Sequence, residues 1–304
     1  MNNSPSQTSW KDLPFDILVK IFMALDILDV VAGVSRVCTS WRAASRDPKI
    51  WNSIDLSKVK FNSGRIPETS DDLYIDGPSN KIMLVLKNSL KLNRGNVSCL
   101  IFQFYAFLTN EHLLYIAERT PNLKRLVLPA WNKLDVDGFD EAIKHWSNLE
   151  SLTVPCVYSP CNMMKSIGAY CNNFSEIKIM CPVDSDFALS IASHTPNLKV
   201  LSLRCTVVFK QALLILLKKL NKLEVLNLAH SLMVCDTREP GFLLVFEEID
   251  DEIIKNTKHV KTLITCQKNA CPMCRVAVDQ EDFLKWYNYE EENWKLDEIP
   301  SLTV

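Results

Sequence analysis

Three cysteines in the last fifth of the chain have the spacing of metal ligands: Cys266, Cys271 and Cys274 read C-x4-C-x2-C. Two thiolates separated by two residues can take adjacent corners of a zinc tetrahedron, but a closed structural site needs four ligands. His259 is the histidine that stands near them in sequence. With three thiols and no evident fourth partner, the expectation is no cofactor: these residues are read as free thiols, and purified protein should hold substoichiometric zinc. The chain has eleven cysteines, an odd number, and its first residues, MNNSPSQTSW, lack the apolar region of a secretory signal. Reduced thiols in a cytoplasmic and/or nuclear protein are therefore expected, most of them packed as small hydrophobes.

Other chemistry is hard to find. None of the five histidines sits in HExxH, and no GxSxG elbow occurs. The seven glycines form neither GxGxxG nor GxxxxGK[ST], so no loop is built to cradle phosphate. A net charge of −2 and a pI near 6.2 provide no basic field for nucleic acid or an anionic membrane. No apolar run approaches the ~18 residues of a membrane span. The tightest apolar cluster, Ala212 to Leu217, stops at Lys218 and Lys219. A non-catalytic binding protein is the class that remains, with 304 residues, 47% of them hydrophobic, to build its core.

The elements that position these residues are set by a repeat. TPNLKRLVL from Thr120, WSNLESLTV from Trp146, CNNFSEIKI from Cys171, TPNLKVLSL from Thr195 and LNKLEVLNL from Leu220 align without gaps. The central apolar position recurs at Leu126, Leu152, Ile177, Leu201 and Leu226, in steps of 24 to 26 residues. One step earlier it falls on Leu100, and a later copy, Val260 to Thr265, follows an insert placed at Met233 to Gly241. Each copy reads L-x-x-L-x-L, the core of a leucine-rich repeat. Intervening stretches carry apolar residues at i+3 and i+4, such as Phe139, Ala142, Ile143 and Trp146, or Phe187, Ile191 and Ala192. Asn122, Asn148, Asn173 and Asn197 suit a left-handed turn out of each helix. Between Trp51 and Asn96, strands at Ile54 to Leu56 and Leu73 to Ile75 and a helix over Ile82 to Leu92 are expected. The fold class is α/β, a leucine-rich-repeat solenoid with short parallel strands on its concave face and helices on its convex face.

Strand alternation says which side chains face away from the core. They are Arg125, Val127 and Pro129; Ser151, Thr153 and Pro155; Glu176, Lys178 and Met180; Val200, Ser202 and Arg204; Val225, Asn227 and Ala229. Stacked in this way they would form a concave surface with a modest basic bias, suited to a protein segment bearing acidic and apolar groups.

Residues Trp10 to Trp51 follow another grammar. Pro14 suits a first helical turn, and Ile17, Leu18, Ile21, Phe22 and Leu25 make one apolar stripe. A second helix from Asp29 should carry Val30, Val31, Val34, Val37 and Cys38, and a third Trp41, ending near Asp47-Pro48. Leu13-Pro14, Ile17-Leu18, Ile21-Phe22, Val37-Cys38, Trp41, Asp47-Pro48 and Trp51 together resemble an F-box closely. That resemblance implies docking to a Skp-family adaptor through Leu13, Pro14, Ile17, Leu18, Ile21, Phe22, Leu25, Val30, Val34, Val37, Cys38 and Trp41. Through the adaptor would come a cullin scaffold, a RING subunit and a charged E2.

The acidic, aromatic run Phe283 to Trp294 would cap the last repeat, its rings inward and its acids in water. With the C-x-x-C before it, this tail is similar to that of small plant F-box/LRR proteins. The organisation expected is a disordered 1–9, an F-box at 10–52, a repeat arc at 53–265 and a cysteine-containing segment and cap at 266–304. The function implied is the substrate-recognition subunit of a Skp–cullin–F-box ubiquitin ligase, which binds an unidentified protein on the arc. A non-degradative F-box/LRR scaffold is the alternative.

Overall fold

A computed structural model describes residue 10 and residues 13–59, 78–93, 95–130, 132–156, 159–236, 243–246, 249–266, 271, 274 and 294–304. The expected disorder of 1–9, the strand at Leu73 to Ile75 and the tail from Phe283 to Asn293 lie outside these residues.

Eight short strands form one all-parallel sheet: β1 (Ser53–Asp55), β2 (Cys99–Ile101), β4 (Arg125–Val127), β6 (Ser151–Val154), β7 (Glu176–Ile179), β8 (Val200–Ser202), β10 (Val225–Asn227) and β13 (Thr262–Ile264). They stand side by side in chain order. The register is the repeat made visible. Ile54, Leu100, Leu126, Leu152, Ile177, Leu201, Leu226 and Leu263 are successive Cα partners across the sheet. Side chains alternate across a strand, so fixing that column fixes every neighbour. Leu126, Leu128, Leu201 and Leu203 enter the main core, while Val127 and Met180 join a second cluster on the other face.

Helices Asn110–Ala117, Val136–Ile143, Pro160–Tyr170, Ser185–His194 and Lys210–Lys219 connect these strands and pack in sequence, each on the next. Three of the five start at side-chain caps: Thr109, Asp135 and Asp184 accept hydrogen bonds from the backbone N–H of His112, Gly138 and Phe187. Their exits differ from expectation. Asn122, Asn148, Asn173 and Asn197 do not take positive φ; among the described non-glycine residues only Cys205 and His230 do. Instead a tight backbone turn recurs, with the N–H of Leu123, Leu149, Phe174, Leu198 and Leu223 donating three residues back to the carbonyls of Thr120, Trp146, Cys171, Thr195 and Leu220. Such a turn closes in right-handed backbone and needs no special residue.

A second, shorter ladder follows the main strands. Leu108–Thr109 (β3) pairs with Asn132–Lys133 (β5), and Val207–Phe209 (β9) with Leu232–Asp236 (β11), both in parallel. β11 also pairs antiparallel with β12 (Leu243–Phe246), so the expected insert at Met233 is in part a β-hairpin whose Met233 and Val234 are buried. Helix Pro78–Asn93 covers the expected helix, and β1 the expected strand at Ile54.

At the N-terminal end, helix Phe15–Met23 packs on helix Thr39–Ala44. The expected second helix is instead a π turn (Asp29–Gly33) followed by a 3-10 turn (Val34–Arg36). Trp51 is buried where this module meets the sheet, its indole N–H donating to the Ser45 carbonyl at 2.7 Å.

Leu201, in the column's centre, is wholly buried. Leu201→Ala is expected to cost about 2–5 kcal/mol in urea unfolding. Leu189→Ala, on the exposed side of its helix, should stay within about 0.5 kcal/mol.

Candidate functional sites: a helical face, an occupied strand face and a thiol cluster

The N-terminal module divides its apolar residues between two tasks. Leu18, Phe22, Val30 and Val34 are buried in the main core, with Phe22 in edge contact with Trp41 at 5.3 Å. These four were expected at a partner interface; the module instead commits them to the main core, where its first helix packs on the helix that carries Trp41. Pro14, Ile17, Ile21, Leu25 and Val37 remain exposed, and Leu13, Cys38 and Trp41 are half-buried. Ile17 and Ile21, one helical turn apart, share a face. Phe15 and Met23, each more than half exposed, are further apolar residues in this region that the motif did not single out.

The strand face opposite the helices is not open. The chain's own C-terminal segment, 294–304, lies on it. Trp294 packs with Ile101, Phe104, Val127 and Met180, over the middle strands rather than at the end of the sheet. Of the run expected to cap the last repeat, Trp294 alone is among the described residues, and the polar anchors of the segment that follows it lie along the strands. Lys178, fully buried, donates to the carbonyls of Trp294 (3.0 Å) and Leu296 and pairs with the buried Asp297 carboxylate at 3.4 Å. Ser202 donates to Asp297 at 2.7 Å, and Asn227 to both Asp297 and Glu298. Arg204 meets Glu298 at 3.0 Å. The segment then turns through Pro300–Leu302 and comes back, where Arg125 donates to the Thr303 carbonyl and Val304 N–H closes onto the Lys295 carbonyl.

Of the residues expected to face a partner, Val127, Ser151, Thr153, Lys178, Ser202, Arg204 and Asn227 are thus buried, while Arg125, Glu176, Val200 and Val225 are half-buried. The basic bias read from Arg125, Lys178 and Arg204 is met by an acidic, apolar segment, and that segment is the chain's own. Ser151 Oγ and Thr153 Oγ1 on the same strand face are buried and have no hydrogen-bond partner among the described residues. Burial pushes the Lys178 ammonium down to about 8, against the pull of Asp297. Burial would raise the Glu298 carboxyl, but hydrogen bonds from His230, Asn227 and Arg204 overcome it and hold the group far below the carboxylate range.

Beyond β13 the three spaced cysteines converge with a histidine the sequence did not nominate. Cys266 Sγ lies 3.4 Å from Cys274 Sγ, and His230 Nδ1 lies 3.4 Å from Cys271 Sγ and 3.5 Å from Cys274 Sγ. His259, the expected candidate, is engaged elsewhere, with its Nε2 at 3.2 Å from the Leu220 carbonyl. His230 follows β10, one repeat earlier, at a place where the backbone takes φ 60°. That unusual turn aims the ring toward the cysteines, and no local motif encodes it.

Comparison with known proteins bears on the first two sites. A model of the F-box-like domain matches residues 10–57. The F-box/LRR-repeat protein At3g48880 of Arabidopsis thaliana is 38% identical over 296 residues, covering 96% of each chain. This chain belongs to the plant F-box/LRR-repeat family. Two further Arabidopsis relatives carry F-box names: At4g11580, 28% identical over 99% of this chain and 98% of its own, and SKIP19, 26% identical over 64% and 61%. F-box domains generally bind Skp-family adaptors, and F-box proteins typically act in Skp–cullin–F-box ubiquitin ligases. Members of the F-box/LRR family are generally non-catalytic receptors.

The buried pair generates a test. Asp297→Ala leaves the Lys178 charge buried and unpaired, a loss of about 3–5 kcal/mol when such pairs are broken. It is expected to release the tail, seen as faster proteolysis within residues 294–304. Asp297→Ala combined with Lys178→Met should restore much of the protection.

Proposed function

We propose that this F-box/LRR protein is the substrate-recognition subunit of a Skp–cullin–F-box ubiquitin ligase, acting in the cytoplasm or nucleus. The observation that carries the proposal is the exposed apolar face of the N-terminal module. Ile17, Ile21, Leu25 and Val37 stay in water while their helix neighbours Leu18 and Phe22 are committed to the core. Apolar residues left out of a core in this way mark an interaction surface. The family supplies the partner: a Skp-family adaptor, and through it a cullin and a RING subunit.

The repeat domain then holds a protein target. Its recognition surface is composite, made of the outward side of the 294–304 segment together with the half-buried row Arg125, Glu176, Val200 and Val225, each the first or near-first residue of its strand. Its contribution to ubiquitin transfer is proximity, which raises the effective concentration of target lysines near the charged E2. No side chain of the receptor has to enter the reaction.

The experiment is co-purification from plant cells of adaptor, cullin and RING subunit with the intact chain. Ile17→Asp with Ile21→Asp changes only exposed positions. It is expected to weaken adaptor binding by at least about thirtyfold, the effect of losing about 2 kcal/mol at an apolar anchor, without lowering the melting temperature. Leu18→Ala should do the reverse, lowering stability first. Undiminished adaptor binding by a folded Ile17→Asp/Ile21→Asp chain would remove the basis of the assignment.

A further inference from the structure

We propose that His230, Cys266, Cys271 and Cys274 form a structural zinc site that fastens the chain beyond the last strand to the end of the repeat sheet. Their four ligand atoms lie within 4.8 Å of one another. A zinc ion with bonds of ~2.3 Å to sulfur and ~2.0 Å to nitrogen sets tetrahedral edges of about 3.5–3.8 Å between its ligands. The two sulfur–nitrogen separations, 3.4 Å (His230–Cys271) and 3.5 Å (His230–Cys274), sit at that spacing, and the Cys266–Cys274 sulfurs, 3.4 Å apart, lie a few tenths of an ångström inside it. Three thiols and one imidazole, with His230 and Cys274 buried, are a soft and closed donor set that selects zinc and leaves no position for a substrate.

Groups around the four ligands are arranged as such a site requires. Histidines that bind a metal through one nitrogen characteristically donate the other N–H to a carboxylate. His230 Nε2 lies 3.2 Å from Glu298 Oε1. A proton on Nε2 leaves the Nδ1 lone pair facing Cys271 and Cys274. The backbone N–H of His230 also donates to Cys266 Sγ at 3.1 Å, the kind of contact that stabilises a thiolate. Glu298 belongs to the tail and is held besides by Arg204 and Asn227. The metal would thus join three parts of the chain: the turn after β10, the segment after β13, and, through one carboxylate, the segment lying on the strand face.

The test uses the full-length chain purified under reducing conditions in zinc-containing buffer, followed by desalting. Elemental analysis is expected to give one zinc per chain. Replacement by cobalt is expected to give the thiolate-to-cobalt charge-transfer band and the intense visible bands of a tetrahedral thiolate site, a readout that needs no variant. Chelation should lower the melting temperature by at least about 4 °C and make Cys266, Cys271 and Cys274 available to alkylation. Cys271→Ser with Cys274→Ser should lose the metal, and His230→Ala should weaken its retention at least tenfold. Zinc well below one equivalent with no cobalt spectrum would overturn the proposal. So would metal that survives the double cysteine replacement, or a Cys266–Cys274 disulfide in the protein as isolated.

Discussion

One column of side chains organises this molecule. Ile54, Leu100, Leu126, Leu152, Ile177, Leu201, Leu226 and Leu263 oppose one another strand by strand, and a slip of one residue would turn any strand inside out. Between Leu100 and Leu226 a nearly constant repeat length brings each strand back to the same height. From Ile54 to Leu226 the column buries its side chains against the helices on one side, and only the last member, Leu263 on the edge strand, is exposed. Its geometry also commits the residues between them to the other side, whatever their polarity. Lys178, Ser202, Arg204 and Asn227 stand there because of where the leucines stand.

A row of polar groups beside Val127 and Met180 can be left to water or answered by the protein. Here it is answered. Trp294 covers the apolar part, and Asp297 and Glu298 meet Lys178, Arg204 and Asn227. A buried ion pair contributes little net stability relative to apolar residues of the same shape, but it is costly to break and selects one arrangement over its neighbours. The buried network therefore reads as a device for placing the tail in one register along the strands. The thiol cluster adds a second anchor through His230 and Glu298.

Much of this was legible in the sequence. The strands, their register and the helices between them followed from L-x-x-L-x-L, because alternation and helical periodicity are local properties. The apolar face of the N-terminal module was also legible, although its division between core and surface was not: Leu18 and Ile17 differ only in which side of one helix enters the core. Contacts made across the chain were hidden. His230 stands 36 residues before Cys266, on a different repeat, and only the sheet brings them together. Asp297 is more than a hundred residues from Lys178. The signal available was complementarity, a basic and amide-bearing strand face in a chain that ends with an acidic pair between apolar residues. A tail long enough to return over the sheet was a candidate to fill it, as much as any partner.

The account rests on the strand face being closed by the chain's own C-terminal segment, and the reactivity of a single amine reports on it directly. Brief labelling of the native chain with an amine-reactive reagent, read by mass spectrometry, compares Lys178 with exposed lysines such as Lys199 and Lys222. Lys178, fully buried beneath residues 294–298, is expected to remain unmodified while those lysines react, and to become reactive when residues 294–304 are deleted. Labelling of Lys178 in the intact, folded chain at the rate of exposed lysines would contradict the account.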